Sequence, residues 1–327
     1  MEIAALLDNF GNPAILFFFL GFIAILVRSD LEIPPQIGKF LGLYLLFHIG
    51  INGGQELRYS GFSDQVLIVL AVSLCASFLT PFAAYFVLRR KLNLYDAGAV
   101  AASYGSISAV TFATTMSFLE AQNVDFGGYM VGGLALMESP AIVAGLILIR
   151  LNESKENDVD TKVADASAAN ILRESLFNGS VFLLAGSMVI GYAAGATGEK
   201  QLQPFVDDIF FGMLSFYMLD MGLLAARRIG ALKQSGGFVI SFALLFPPII
   251  ATLSLALCWV LNYSAGDALL QTVLLASASY IAVPAAMHIA VPKANMGILL
   301  PMSLGITFTF NIAIGIPLYF FVIETLW

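Results

Sequence analysis

The sequence predicts an all-α integral membrane protein of ten transmembrane helices, built as two inverted five-helix repeats with discontinuous helices four and nine. Three observations lead there. Of 327 residues, 59% are hydrophobic and only 11% charged, where a soluble domain carries roughly 25% charged residues; the mean hydropathy is +0.88. Apolar stretches of the length that crosses a bilayer, about 20 residues each, recur along the chain. Finally, Gly105-Ser106-Ile107-Ser108 returns as Ala276-Ser277-Ala278-Ser279, at the same offset that relates Asp96-Ala97 to Asp267-Ala268 and Met116 to Met287.

The first repeat, residues 1–150, holds predicted spans at 13–28, 36–57, 65–88, 96–120 and 126–150. The N-terminal residues offer no basic run before the first apolar stretch, only Glu2 and Asp8, so span one is expected to be retained rather than cleaved. Residues 151–172 include Asn152-Glu153-Ser154-Lys155-Glu156-Asn157-Asp158, without apolar periodicity, and predict an exposed linker on the cytoplasmic side. The second repeat, 173–327, holds spans at 173–194, 204–226, 236–262, 267–291 and 296–325. Further matches at a nearly equal offset support duplication: Pro35 with Pro204, Phe40-Leu41-Gly42 with Phe210-Phe211-Gly212, and Arg58 with Arg228.

Charge sets the orientation. With both termini outside, only Arg58 and Lys200 fall on the outer face, and every other Lys and Arg faces the cytoplasm. Five spans per repeat then make the second repeat enter from the opposite side, the inverted architecture on which alternating access rests. Cys75 and Cys258 lie in apolar spans and read as packing residues; no disulfide framework or Cys/His metal spacing exists.

The duplicated serine stretches fall near the middle of spans four and nine, where backbone polarity must be satisfied without water. Small hydroxyl residues there either let helices pack closely or interrupt both helices at a binding site. Two interrupted spans would turn helix N-termini, each carrying about half a positive charge, toward one place. Such a pair binds an anion without Arg or Lys. Ser106, Ser108, Thr111, Ser277 and Ser279 are the candidate substrate residues. Pro284 cannot donate to the carbonyl of Tyr280, and a freed carbonyl beside hydroxyls suits Na⁺. Cation-coupling candidates are Glu138, Tyr280 and Asn311, with a Na⁺ position near Ser108, Glu138 and the Tyr280 carbonyl. His48 and Asp220 are gating candidates, and His288 reads as structural. The paired glycines at 53–54, 127–128 and 132–133 lack the strand-then-helix context of a phosphate loop.

These residues also carry a family likeness. Phe47-His48-Ile49-Gly50-Ile51-Asn52-Gly53-Gly54, Gly105-Ser106-Ile107-Ser108-Ala109-Val110-Thr111, Met137-Glu138-Ser139-Pro140-Ala141, Ala276-Ser277-Ala278-Ser279 with Pro284, and Ile314-Gly315-Ile316-Pro317-Leu318 resemble the sodium-dependent bicarbonate transporter (SbtA-like) family. The resemblance spans essentially the whole chain. It implies a homotrimer in the bacterial plasma membrane, Na⁺-driven bicarbonate uptake, and possible control by a PII-like protein at the cytoplasmic face. It places bicarbonate between the broken helices, at Ser106, Ser108, Thr111, Ser277 and Ser279. Tyr280 stands where the family has an acidic residue, and Ala282 where it has a hydroxyl.

Two other readings share the composition. A carrier of another small carboxylate or anion, coupled to Na⁺ or H⁺, would use the same architecture. A membrane sensor that binds without transporting would call for an appended signalling domain, and no stretch of the chain reads as one. An enzyme is disfavoured, because no nucleophile–base pair or metal cluster shares one depth.

Overall fold

In the computed structural model, residues 12–61, 63–156, 179–232 and 236–327 are described, and every regular element among them is helical. Local chemistry sets the boundaries. Helix α1, Pro13–Leu26, starts where the Asn12 side chain accepts the N–H of Ala14, with Pro13 as the first helical residue. Helix α2, Pro35–Ser60, follows Pro34 and stops at Gly61, whose φ of 66° no helix continues. Helix α3, Asp64–Leu88, is capped by Ser63. Span four is two helices, α4 (Leu94–Gly105) and α5 (Ala109–Ala121), capped by Asn93 and Ser108. Helix α6 is Met130–Glu156.

In the second half α7 runs Gly179–Val206 and α8 Phe210–Leu232. Helix α9 is Gly237–Val260. Span nine is again divided, into α10 (Ala265–Leu275) and α11 (Ala282–Ala290). Span ten opens with the short α12, Met296–Leu300, passes through π-helical turns at Pro301–Phe308 and Asn311–Gly315, and ends as α13, Ile316–Leu326.

Among the described residues, six helices are long and apolar enough to cross a membrane, with Met296–Leu326 counted as one. The shortfall against ten predicted spans has physical causes. Spans four and nine are cut into pieces shorter than a bilayer, and α1 has only 14 residues. Helix α2 is diluted by Lys39, His48, Asn52, Gln55, Glu56 and Arg58.

Several boundaries differ from the sequence expectation, span seven among them, which runs Phe210–Leu232 rather than 204–226. Helix α6 continues six residues into the expected linker, and α7 extends to Val206 rather than ending at 194. Within α7, Gly195 takes φ 57° and ψ −161°, a kink at which Arg58 Nη1 donates to the Tyr192 carbonyl at 2.8 Å. The arginine satisfies a carbonyl that the interrupted helix leaves over. Residues 157–172 of the expected linker, 173–178 of the expected sixth span and the N-terminal 1–11 lie outside the described residues.

The helices pack in two groups. Helices α1 and α8 cross through glycine, since a Cβ on Gly21 would lie 2.2 Å from the Leu219 carbonyl oxygen and one on Gly222 would lie 2.0 Å from that of Phe18. Helices α2 and α7 cross the same way at Gly54 and Gly191, against the carbonyls of Met188 and Ile51. Such close backbone approach is the usual basis of helix association in lipid. The other group joins α3, α4 and α6, with α9, α10 and span ten in the matching roles. Cys258 is buried, whereas Cys75 faces outward from α3.

Candidate functional site

The two interruptions meet. The Ser279 N–H donates to the Ser103 carbonyl at 2.9 Å, and the Ser103 hydroxyl donates back to the Ser279 carbonyl. The Ser108 N–H donates to Ser277 Oγ at 3.0 Å, while Ser277 Oγ donates to the Leu274 carbonyl. The unwound backbones thus satisfy part of each other's polarity, which lipid would leave unmet.

Beyond the crossing, the second halves begin. Helix α5 starts at Ala109, with Ser108 Oγ accepting from the Thr111 N–H and hydroxyl. The N–H groups of Ala109 and Val110 have no helical carbonyl behind them. Helix α11 starts at Ala282 without a side-chain cap at Ile281, and Ser279 Oγ accepts from the Val283 N–H at 3.3 Å. Pro284 brings no N–H to this first turn, so the second interruption is the longer of the two.

A cavity of about 50 Å³ lies at this point. Its lining includes Ser108, Ala109, Val110, Glu138, Ser279 and Tyr280. The volume corresponds to about four water-sized molecules. The wall is mostly apolar, and its donors are concentrated at two helix N-termini and the hydroxyls of Ser108 and Ser279, while Glu138 contributes a buried carboxyl.

The remaining candidates sit elsewhere. Ser277 and Thr111 support the crossing and the α5 cap, and neither lines the cavity. Ser106 is buried beside the cavity with its hydroxyl unpartnered. Asn311, fully buried in span ten, donates to the Ala276 carbonyl at 2.9 Å and so holds the second interruption from behind. It is not brought to the cavity. His48 makes its nearest contact as a donor at the end of α7, with Nδ1 2.7 Å from the Val206 carbonyl and 3.8 Å from Asp207, its ring stacked on Phe210. Because a carbonyl only accepts, that nitrogen carries the hydrogen.

Asp220 lies in a second, larger cavity of about 390 Å³, whose mouth also carries Glu32, Lys39, Arg227 and Arg228. Gly38 gives the Asp220 carboxylate its room; a Cβ there would lie 2.3 Å from Oδ2. Ser103 is not among the residues singled out from the sequence, and Leu274 stands at its repeat offset. Its one signal is that it precedes Ser106 by a single helical turn, on the same face. Among the described residues no cluster of three His, Cys, Asp or Glu could hold a metal ion.

A family model described as the Na⁺-dependent bicarbonate transporter superfamily matches residues 13–324, nearly the whole chain. The chain belongs to that superfamily. It is therefore a membrane transport protein, not an enzyme, and the superfamily's work is Na⁺-dependent bicarbonate transport. A comparison with curated proteins finds no match. Membership bears on the whole helical assembly rather than on single side chains, whose roles rest on the geometry above.

Proposed function

We propose that the chain is a secondary carrier of ten spans in two inverted repeats, which moves bicarbonate or a similar small anion inward together with Na⁺ by alternating access. The observation that carries this reading is the convergence of the α5 and α11 N-termini on one small cavity that also holds Glu138. The cavity has room for only a few water-sized groups, which suits an anion as small as bicarbonate. Backbone N–H groups, Ser108 and Ser279 supply donors to the anion. Ser108, Glu138 and the Tyr280 carbonyl supply hard oxygen ligands to Na⁺.

The exchange of packing partners supports the inverted repeat. Span one packs on span seven and span two on span six; α5 packs on α10 as α4 packs on α11. Each contact has its counterpart when the halves are swapped. The reading keeps both termini outside, the plasma membrane, and the homotrimer and PII-like regulator implied by the family likeness. Coupling has an energetic reason: carrying a monoanion inward against an inside-negative potential costs about 2.3 kcal/mol per 100 mV, and one cation carried along cancels it.

Labelled bicarbonate uptake into proteoliposomes tests the coupling, with uptake rising under an inward Na⁺ gradient. Uptake indifferent to that gradient rejects it. The double substitution Ser108→Ala with Ser279→Ala tests the site: bicarbonate binding is lost while the protein still inserts and assembles. Wild-type affinity in that variant would remove the anion from this cavity. The second reading, another small carboxylate with H⁺ as the coupling ion, draws on Glu138 as a buried carboxyl able to carry a proton. Uptake driven by a pH gradient without Na⁺ would favour it.

A further inference from the structure

Among the described residues, Tyr280 and Ile281 alone line both cavities, the small one between the interrupted helices and the large one that opens past Asp220 and Lys39. We infer that Tyr280 is the inner gate of the carrier and at the same time a selectivity residue, closing the way to the larger vestibule with its ring and donating its hydroxyl to the bound anion. The inference rests on the reading of the small cavity as the anion site.

The ring is placed for the first task. Tyr280 is 7% exposed and packs edge-on against Phe308 with centroids 5.4 Å apart. Phe308 in turn meets Phe18 of α1 edge-on at 5.6 Å. The Phe18 carbonyl is the point where α1 crosses α8 at Gly222. A line of three rings therefore joins the partition to the α1–α8 pair. Phe308 lies in a π-helical turn, a geometry frequent at functional sites. A shift of α1 and α8 against span ten would withdraw Phe308 and free the tyrosine ring to turn.

The hydroxyl is placed for the second. It is buried next to Ser108, with no well-formed hydrogen bond. A buried donor without a partner costs about 1–3 kcal/mol, and an anion in the adjoining cavity would supply the missing acceptor. A neutral phenol donates to an anion without repelling it, which a carboxylate at this place could not do.

Thiol accessibility tests both parts. In a chain with Cys75 and Cys258 replaced by Ala, Ala109→Cys places a thiol in the small cavity and Leu300→Cys places one in the vestibule as a control. A charged methanethiosulfonate should label Ala109→Cys slowly with Tyr280 or Tyr280→Phe, and at least about tenfold faster with Tyr280→Ala. An unchanged rate, with Leu300→Cys reacting normally, overturns the gate. If Tyr280→Ala does not accumulate, Tyr280→Ser opens the same gap. Tyr280→Phe should raise the half-saturating bicarbonate concentration of uptake about tenfold; a wild-type value overturns the hydroxyl's role. Protection of Ala109→Cys by bicarbonate is the separate check on the site: faster labelling in Tyr280→Ala without protection in any background upholds the gate and removes bicarbonate from the cavity.

Discussion

The Asp96 carboxylate accepts the backbone N–H of Asn295 at 2.7 Å, and on the opposite side of the molecule Asp267 does the same for Gly127. Each aspartate stands in the first turn of a leading half-span, α4 or α10, and each grips the chain entering the last span of the other repeat. Asp267 also accepts from the Tyr129 hydroxyl, and Asn93 donates to Asp96.

Removing either clamp should loosen the assembly. Hydrogen bonds to a charged group contribute about 1.5–3 kcal/mol, so Asp267→Ala and Asp96→Ala should each lower the melting temperature in detergent. Each change strands two donors, but Asp267→Ala should do more, because both of its donors, Gly127 and Tyr129, come from the other repeat, whereas one of Asp96's is its own cap residue Asn93. Melting temperatures equal to the parent's in both variants would show that neither carboxylate holds the repeats together.

The Asp pair was visible in the sequence as a repeated residue at a fixed offset, and so were the two serine stretches that interrupt spans four and nine. Duplication made them legible, because small polar residues in an apolar span are costly and their recurrence is informative. Asn311 was legible as a buried amide, but its partner was not. Local sequence does not reveal that its amide points to the Ala276 carbonyl rather than to the cavity. The same holds for Ser103, whose role exists only once the second interruption lies against it. The π-helical turns of span ten and the kink at Gly195 arise from packing with distant segments, and no periodicity announces them.

Asn311→Leu discriminates support from ligation. The substitution leaves the Ala276 carbonyl without its donor and should destabilise the protein by about 1–3 kcal/mol. The residual uptake should keep its Na⁺ dependence, with a half-saturating concentration within about twofold of the parent. A rise of more than tenfold would mean that the amide oxygen reaches the cation itself.

Ser277→Ala separates the crossing from the cavity. Its hydroxyl receives the Ser108 N–H and donates to Leu274, so its loss strands a buried N–H. Stability should fall by about 1–3 kcal/mol, with bicarbonate affinity affected far less than by Ser279→Ala. Equal losses of affinity in the two single variants would place Ser277 on the anion.

Gly195→Ala tests the kink in α7. Its backbone at φ 57° and ψ −161° lies where side chains are strained by about 1–3 kcal/mol, and a Cβ would lie 3.0 Å from the Arg58 guanidinium carbon. The variant should melt lower than the parent, and Arg58→Gln should lower it too by releasing the Tyr192 carbonyl. Two variants as stable as the parent would show that the kink and its arginine are incidental.

The chamber between the interrupted helices leaves no room for a hydration shell. An anion that enters must therefore shed its water at the threshold, and only one whose oxygens find hydroxyl and amide hydrogens in place of that water recovers the loss. Discrimination would then rest on reach rather than on charge: a planar oxyanion can meet donors on both sides of the chamber at once, whereas chloride, a single acceptor centre, must recover its dehydration cost from those within reach of one point.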